Sequence, residues 1–210
     1  MLLDKFVIFD LDGTIIKENS AWEMLHKHFK VDPSIVEKNK ELYEKKIIDV
    51  DRWIEMDIKL WKNPHKKTIE DVLKKYTLIE GIKEFVEYLK KRGFILGIVS
   101  SGIDILAEKV ADELGIDICY SNSLIFDEKG FLIGGKGNVD LLRKKEIAKN
   151  LSEKFKIPLK NFIIIGDTRY DMIDGVGIKI ALNPKEKLDA DYTVNSIQEL
   201  KEVFEREIKS

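Results

Sequence analysis

Apolar residues along the chain fall into two patterns. Residues 5–10 read Lys-Phe-Val-Ile-Phe-Asp, a continuous apolar run that ends in a carboxylate. Residues Phe94–Val99 and Phe162–Ile165 repeat that pattern, each followed by polar residues or glycine. Continuous rather than alternating apolar residues predict strands covered on both faces, as in a parallel sheet. Between these runs, apolar positions recur at helical spacing over Ile82–Lys91, Ile105–Leu114 and Lys144–Phe155. Gly93 and Gly115 stand where two of those helices should stop. Strands alternating with helices predict an α/β fold, whose ligand lies beyond the carboxyl ends of the strands.

One stretch breaks the alternation. From about Lys17 to Thr77 no strand pattern appears, and helical periodicity runs through Trp22–Phe29, Ser34–Lys45, Asp51–Trp61 and Ile69–Tyr76. All three tryptophans and all three histidines of the chain fall inside it, and Pro33 and Pro64 mark expected breaks between its helices. The expected division is therefore a core of residues 1–16 and 78–210 interrupted by a helical insertion, 17–77. His26 and His28, two apart on a helix, should face differently and make poor metal partners. Farther on, the apolar runs Leu124–Phe126 and Phe131–Ile133 flank Asp127-Glu128-Lys129-Gly130 and predict a β-hairpin.

Composition narrows the function classes. Thirty-six Lys and Arg against 38 Asp and Glu give a net charge of −2, which argues against a nucleic-acid or membrane-surface partner. Hydrophobic residues at 44% and charged residues at 35% exclude disorder, and no apolar run approaches the roughly 20 residues of a spanning helix. Met1–Lys5 leads straight into a strand pattern with no signal-peptide arrangement. The lone Cys119 suits a reducing compartment, so a cytoplasmic protein is expected, as monomer or homodimer. Abundant Lys, Glu and Ile with one glutamine, Gln198, fit a heat-adapted source or a biased genome.

Chemistry-bearing residues gather at the predicted strand ends. Asp10-Leu11-Asp12-Gly13-Thr14 directly follows the first strand. Gly13 permits a sharp bend that would turn both carboxylates to one site, where a divalent cation or a shared proton would relieve their repulsion. A solvated Asp-rich turn is the alternative. Ile163-Ile164-Ile165-Gly166-Asp167-Thr168-Arg169-Tyr170-Asp171 ends a second strand in two carboxylates. A helical turn from Thr168 would bring Asp167 and Asp171 together, and short carboxylates alone suit Mg²⁺. Ser100 and Ser101, before Gly102, offer a hydroxyl and a helix N-terminus to an anion, or merely a helix cap. Lys144 could neutralise a phosphate or be an ordinary surface lysine.

In this order the parts resemble the four motifs of the haloacid dehalogenase superfamily, whose members are mostly phosphatases. The match covers nearly the whole chain: Asp10–Thr14, Ser100, Lys144, then Gly166-Asp167 with Asp171. The insertion, Glu80-Gly81, Leu89–Gly93 and the hairpin near Asp127 are similar to the phosphoserine-phosphatase-like branch. The resemblance implies a Rossmann-like three-layer core with an all-helical cap. It implies Asp10 as nucleophile, Asp12 as acid and base, and Mg²⁺ held by Asp10, the Asp12 carbonyl and Asp167, with Asp171 in the metal cluster. Ser100, Ser101 and Lys144 would bind the phosphoryl group of a small phosphorylated metabolite, through an aspartyl-phosphate intermediate.

The chain also departs from that branch. Asn19, beside Glu18 and one turn before Glu23, stands where the branch carries a substrate-binding glutamate, so Glu18 is taken as its substitute. Asp57 stands where a cap arginine would hold a carboxylate, and Arg52, the only cap arginine, is the substitute there. Gly13 and Tyr170 replace a usual serine and asparagine. These changes point away from phosphoserine, and Trp22, Trp53 and Trp61 could line a pocket for a less polar substrate. Phosphotransfer to an acceptor alcohol is a second expectation. A receiver-type phospho-acceptor module is a third, disfavoured by the insertion and by the Asp pair ending the first strand.

Overall fold

The computed structural model describes residues 5–209, so the expectation for Met1–Asp4 lies outside the described residues. Seven strands form one sheet in the order β4-β3-β2-β1-β5-β6-β7: β1 (Phe6–Phe9), β2 (Ile95–Ile103), β3 (Ile118–Phe126), β4 (Leu132–Lys136), β5 (Phe162–Gly166), β6 (Ile178–Leu182) and β7 (Tyr192–Val194). All neighbours are parallel except the β3–β4 hairpin, whose turn at 127–130 is the expected one.

Alternate residues of the central strands enter opposite cores. Val7, Phe9, Ile163 and Ile165 join one apolar cluster with α5 (Ile82–Lys91), α6 (Asp104–Leu114) and α8 (Ile197–Lys209). Phe6, Ile8, Phe162 and Ile164 join a second with α7 (Lys144–Phe155), where the rings of Phe6 and Phe162 stack at 4.7 Å. This is the three-layer arrangement that the continuous apolar runs require. Strand order reverses at β1: the chain crosses to β2 on one side and returns to β5 on the other, which makes the carboxyl ends of β1 and β5 the switch point.

Four helices occupy the interval between β1 and α5: α1 (Ala21–His28), α2 (Pro33–Glu44), α3 (Val50–Lys59) and α4 (Lys66–Leu73). Ser20, Asp32, Asp49 and His65 cap their N-termini through side chains, and Pro33 starts α2 where its missing N–H costs nothing. The two ends of this segment run side by side. Lys17 N–H donates to the Thr77 carbonyl at 2.8 Å and Ile79 N–H to the Ile15 carbonyl at 2.9 Å. Leu25, Ile54, Ile58, Trp61, Ile69 and Leu73 belong to the same apolar cluster as β1 and α5, so the helical segment is packed onto the sheet rather than tethered to it. Among the described residues no helix is long and apolar enough to cross a membrane.

Phe85 on α5 meets the rings of Phe9 and Phe204 edge-on and is 1% exposed. Phe85→Ala should cost about 3–5 kcal/mol in denaturant unfolding. Ile133→Ala, at a site 63% exposed, should stay within about 0.5 kcal/mol.

Candidate active site

The site begins where β1 ends. Phe9 pairs with Ile165, and Asp10 N–H donates to the Ile165 carbonyl at 2.9 Å, which sets Asp10 beside the end of β5. The chain then turns sharply, with the Leu11 carbonyl accepting from the N–H groups of Thr14, Ile15 and Ile16. Gly13 makes the turn at φ +73°, and a Cβ there would stand 2.5 Å from Asp167 Oδ2. Backbone conformation and space therefore both demand glycine. Asp12 faces the start of α1, where its Oδ1 accepts from Ala21 N–H at 3.1 Å.

Lys144, the first residue of α7, is the pivot. Its Nζ lies 2.7 Å from Asp10 Oδ1 and 2.6 Å from Asp171 Oδ1. The three side chains are 4%, 9% and 2% exposed, so this is a buried cation between two carboxylates and no surface lysine. Thr168 begins a single 3₁₀ turn, and both its N–H (3.1 Å) and its hydroxyl (2.6 Å) donate to Asp171 Oδ2. Carboxylate oxygens of Asp10, Asp167 and Asp171 lie within 4.8 Å of one another.

Four acids thus share one lysine, and the electrostatics show the deficit. Burial pushes the Asp10 carboxyl well above the usual range, more than Lys144 can offset, and Asp171 and Asp12 add to it. Burial raises Asp12 to about 7 against the pull of Ala21 N–H and Lys144. Burial and Asp171 raise Asp167 to about 6. Burial opposes the charge on Lys144, but Asp10 and Asp171 outweigh it and hold the ammonium protonated. Asp167 Oδ1 is buried without a partner. An all-oxygen donor set with an orphaned carboxylate oxygen fits a hard divalent cation, and the buried cluster could bind one.

The serines correct an expectation. Strand β2 does not end at Val99 but runs through Ser100 and Ser101 to Ile103, so α6 starts beyond them and its N-terminus does not serve them. Ser100 is buried, and its Oγ accepts from Gly102 N–H at 2.9 Å. A Cβ at Gly102 would lie 3.0 Å from Ser100 Oγ and 2.8 Å from Asp12 Oδ2, so the serine hydroxyl and the Asp12 carboxylate flank the same backbone. The Ser101 carbonyl accepts from Trp22 Nε1 (3.1 Å) and Asn122 Nδ2 (2.9 Å).

A cavity of about 500 Å³ opens over these groups, between the strand ends and the helical segment. Asp10, Asp12, Ser101, Lys144 and Asp167 form its floor, and Trp22, Val36, Trp53 and Ile54 form apolar walls. Two expected substrate ligands are elsewhere. Glu18 Oε2 accepts from Thr77 N–H at 3.0 Å, bracing the junction of insertion and core. Arg52 is exposed and pairs with Glu55 at 2.6 Å on its own helix. Trp61 is also not a wall, being buried behind Trp22 at 5.5 Å.

Several site residues carry little sequence signal. Asn122 is buried in β3, where its Oδ1 accepts from Val139 N–H at 2.8 Å, and its polar neighbours Ser121 and Ser123 hide it in the sequence. Tyr170 reaches across the cavity to donate to Glu44 at the end of α2. His26, Asn39, Asp57 and Trp61 form a buried polar group between α1, α2 and α3 that no local spacing announces.

Comparison with known proteins agrees with this arrangement. Residues 5–173 match the family model described as haloacid dehalogenase-like hydrolase. A phosphoserine phosphatase of Methanocaldococcus jannaschii is 28% identical over 206 residues, covering 95% of this chain and 96% of that protein. One from Archaeoglobus fulgidus is 30% identical over 188 residues, covering 88% of this chain but 54% of its own longer sequence. A solved phosphoserine phosphatase described as a phospho-aspartyl intermediate analogue superposes with a TM-score of 0.80 at 26% identity, covering 96% of this chain and 99% of that one. The chain belongs to the haloacid dehalogenase-like hydrolases, in their phosphoserine-phosphatase-like branch.

Proposed function

We propose that this phosphatase hydrolyses the phosphomonoester of a small, soluble cytoplasmic metabolite through a phosphoryl group carried on Asp10, with Mg²⁺ at the carboxylate cluster and residues 17–77 as a substrate-selecting cap. The carrying observation is the division of labour between two carboxylates of one turn. Asp10 is gripped by Lys144, while Asp12, two residues on, is held by Ala21 N–H and titrates near 7. One is placed as a nucleophile; the other can hold and surrender a proton at neutral pH.

The steps follow from those positions. An Asp10 oxygen attacks phosphorus, the bond from phosphorus to the alcohol oxygen breaks, and Asp12 gives its proton to the departing alkoxide. Asp12, now a carboxylate, takes a proton from water as that water attacks the aspartyl-phosphate. The bond from phosphorus to Asp10 breaks, inorganic phosphate leaves, and both side chains return to their starting states. Lys144 and the Ser100 hydroxyl bind phosphoryl oxygens. Asp10, Asp167 and the Asp12 carbonyl would hold the cation; Asp171 adds charge, its oxygens already engaged by Lys144 and Thr168. When bound, Mg²⁺ offsets the repulsion between carboxylates and phosphate. Likeness to a solved phosphatase described as a phospho-aspartyl intermediate analogue supports the covalent route for this chain. The substrate differs from that of the named relatives, because Arg52 faces solvent and Asp57 is buried over the cavity.

Asp10→Asn should lower phosphate release from a generic aryl phosphate by at least ~10³-fold while leaving the fold intact; substantial turnover would refute the nucleophile assignment. Lys144→Ala should be inactive and also less stable by about 3–5 kcal/mol in denaturant unfolding, since it leaves buried carboxylates uncompensated. Linkage sets a third expectation. Asp10, Asp12 and Asp167 bind protons more tightly folded than unfolded, so the metal-free protein loses stability as pH rises from about 4 to about 7. A divalent cation must displace those protons. The rise in Tm on adding Mg²⁺ should therefore grow from about pH 5 to about pH 8, and Asp167→Asn should remove most of it.

A further inference from the structure

The cavity has a second polar site in its helical roof, opposite the carboxylate floor. Asp57 on α3 and His26 on α1 both line it, yet they are 3% and 6% exposed. Asp57 Oδ1 accepts from Asn39 Nδ2 at 2.7 Å, and His26 Nδ1 accepts from Trp61 Nε1 at 3.0 Å. The Trp61 bond fixes the ring, leaving its own N–H at Nε2. That Nε2 faces Asp57 Oδ2 at 3.4 Å, beyond the usual ~2.7–3.2 Å for an N–H···O bond. Nε2 is buried and has no hydrogen-bond partner. An unpaired imidazole donor therefore stands beside a carboxylate oxygen that is within ion-pair distance but outside hydrogen-bond geometry, both groups oriented from behind, in a pocket with tryptophan walls.

Resting on the phosphatase reading above, we propose that the His26–Asp57 pair is the substrate-selecting site of this enzyme and that it takes a hydroxyl group on the alcohol part of the phosphomonoester. A hydroxyl is the group that completes both partners, donating to Asp57 Oδ2 while accepting from His26 Nε2–H. An ammonium would satisfy Asp57 and leave the imidazole N–H unpaired. A carboxylate would meet Asp57 as a like charge, and a methyl would leave the His26 N–H buried and unpaired. The preferred substrates are phosphorylated diols or polyols, not phosphorylated amino acids. Such discrimination against an analogue lacking the hydroxyl should reach roughly 10- to 100-fold in kcat/KM, because the missing bonds are to a charged and a buried group.

The test uses the full chain with Mg²⁺ and four sets of alkyl phosphates, two to five carbons long, ending in methyl, hydroxyl, ammonium or carboxylate. Expected is one hydroxyalkyl length favoured at least tenfold over its methyl counterpart, chiefly through KM. Asp57→Asn and His26→Gln should each bring the hydroxyl-to-methyl ratio of kcat/KM down to about one, whatever their absolute rates, an effect on specificity that a purely structural role would not give. Wild-type rates equal for hydroxyl and methyl termini would overturn the proposal and leave the phosphatase reading standing. So would variants that slow all substrates alike. Failure to release phosphate from any substrate, p-nitrophenyl phosphate included, would overturn both. If either variant does not fold, the wild-type comparison alone decides.

Discussion

A buried lysine between two buried carboxylates is the constraint on which the rest depends. Lys144 joins Asp10, 134 residues away in sequence, to Asp171, 27 residues away. That bond fixes the end of β1, the start of α7 and the turn after β5 against one another. Ions can be buried in this way only when each finds a partner, so any change that separates the three elements exposes an uncompensated charge. The same arrangement leaves the acids in excess, and on the proposed mechanism that excess supplies the reactivity. Asp12 is driven to hold a proton near neutral pH, and an Asp167 oxygen is left without a partner.

The sheet makes that constraint tolerable. Strands β1 and β5 are adjacent, parallel and covered on both faces, so their carboxyl ends are rigid and close. The residues just past those ends leave the strand pattern, and they carry the buried carboxylates of the candidate site. The helical segment closes the other side. It shares an apolar cluster with the sheet, and Tyr170 bridges to α2, so the roof of the cavity is set by packing as firmly as its floor.

Much of this was legible in the sequence, for physical reasons. Phe6–Phe9 and Phe162–Ile165 declared central strands because burial on both faces tolerates no polar alternation. Asp10, Asp12 and Asp167 could be picked out because each follows the end of an apolar run; Lys144, one lysine among many, stood out only through the order of the motifs that the chain resembles. The overrun of β2 was not legible: Ser100-Ser101-Gly102 has the composition of a strand end, yet parallel pairing of Ile103 with Asn122 carries the strand on. Strand β7 is three residues long and β6 is interrupted by Lys179, so neither shows the unbroken apolar run that marks β1 and β5. Glu18 and Arg52 were misjudged because position in a motif says nothing of where a long side chain turns, and each found a nearer partner. The His26–Asp57 group escaped notice because its members lie 31 positions apart and meet only once the helical segment has folded.

Chemistry at Asp10 can be observed directly. During steady turnover of an aryl phosphate, borohydride added to the reaction would reduce an acyl phosphate to the alcohol, converting Asp10 to homoserine in a way that peptide mass spectrometry can locate. Homoserine at position 10, dependent on substrate, is the predicted result. An unmodified Asp10 in an enzyme that is releasing phosphate, with trapping demonstrated on a control acyl phosphate, would contradict a phosphoryl group carried there.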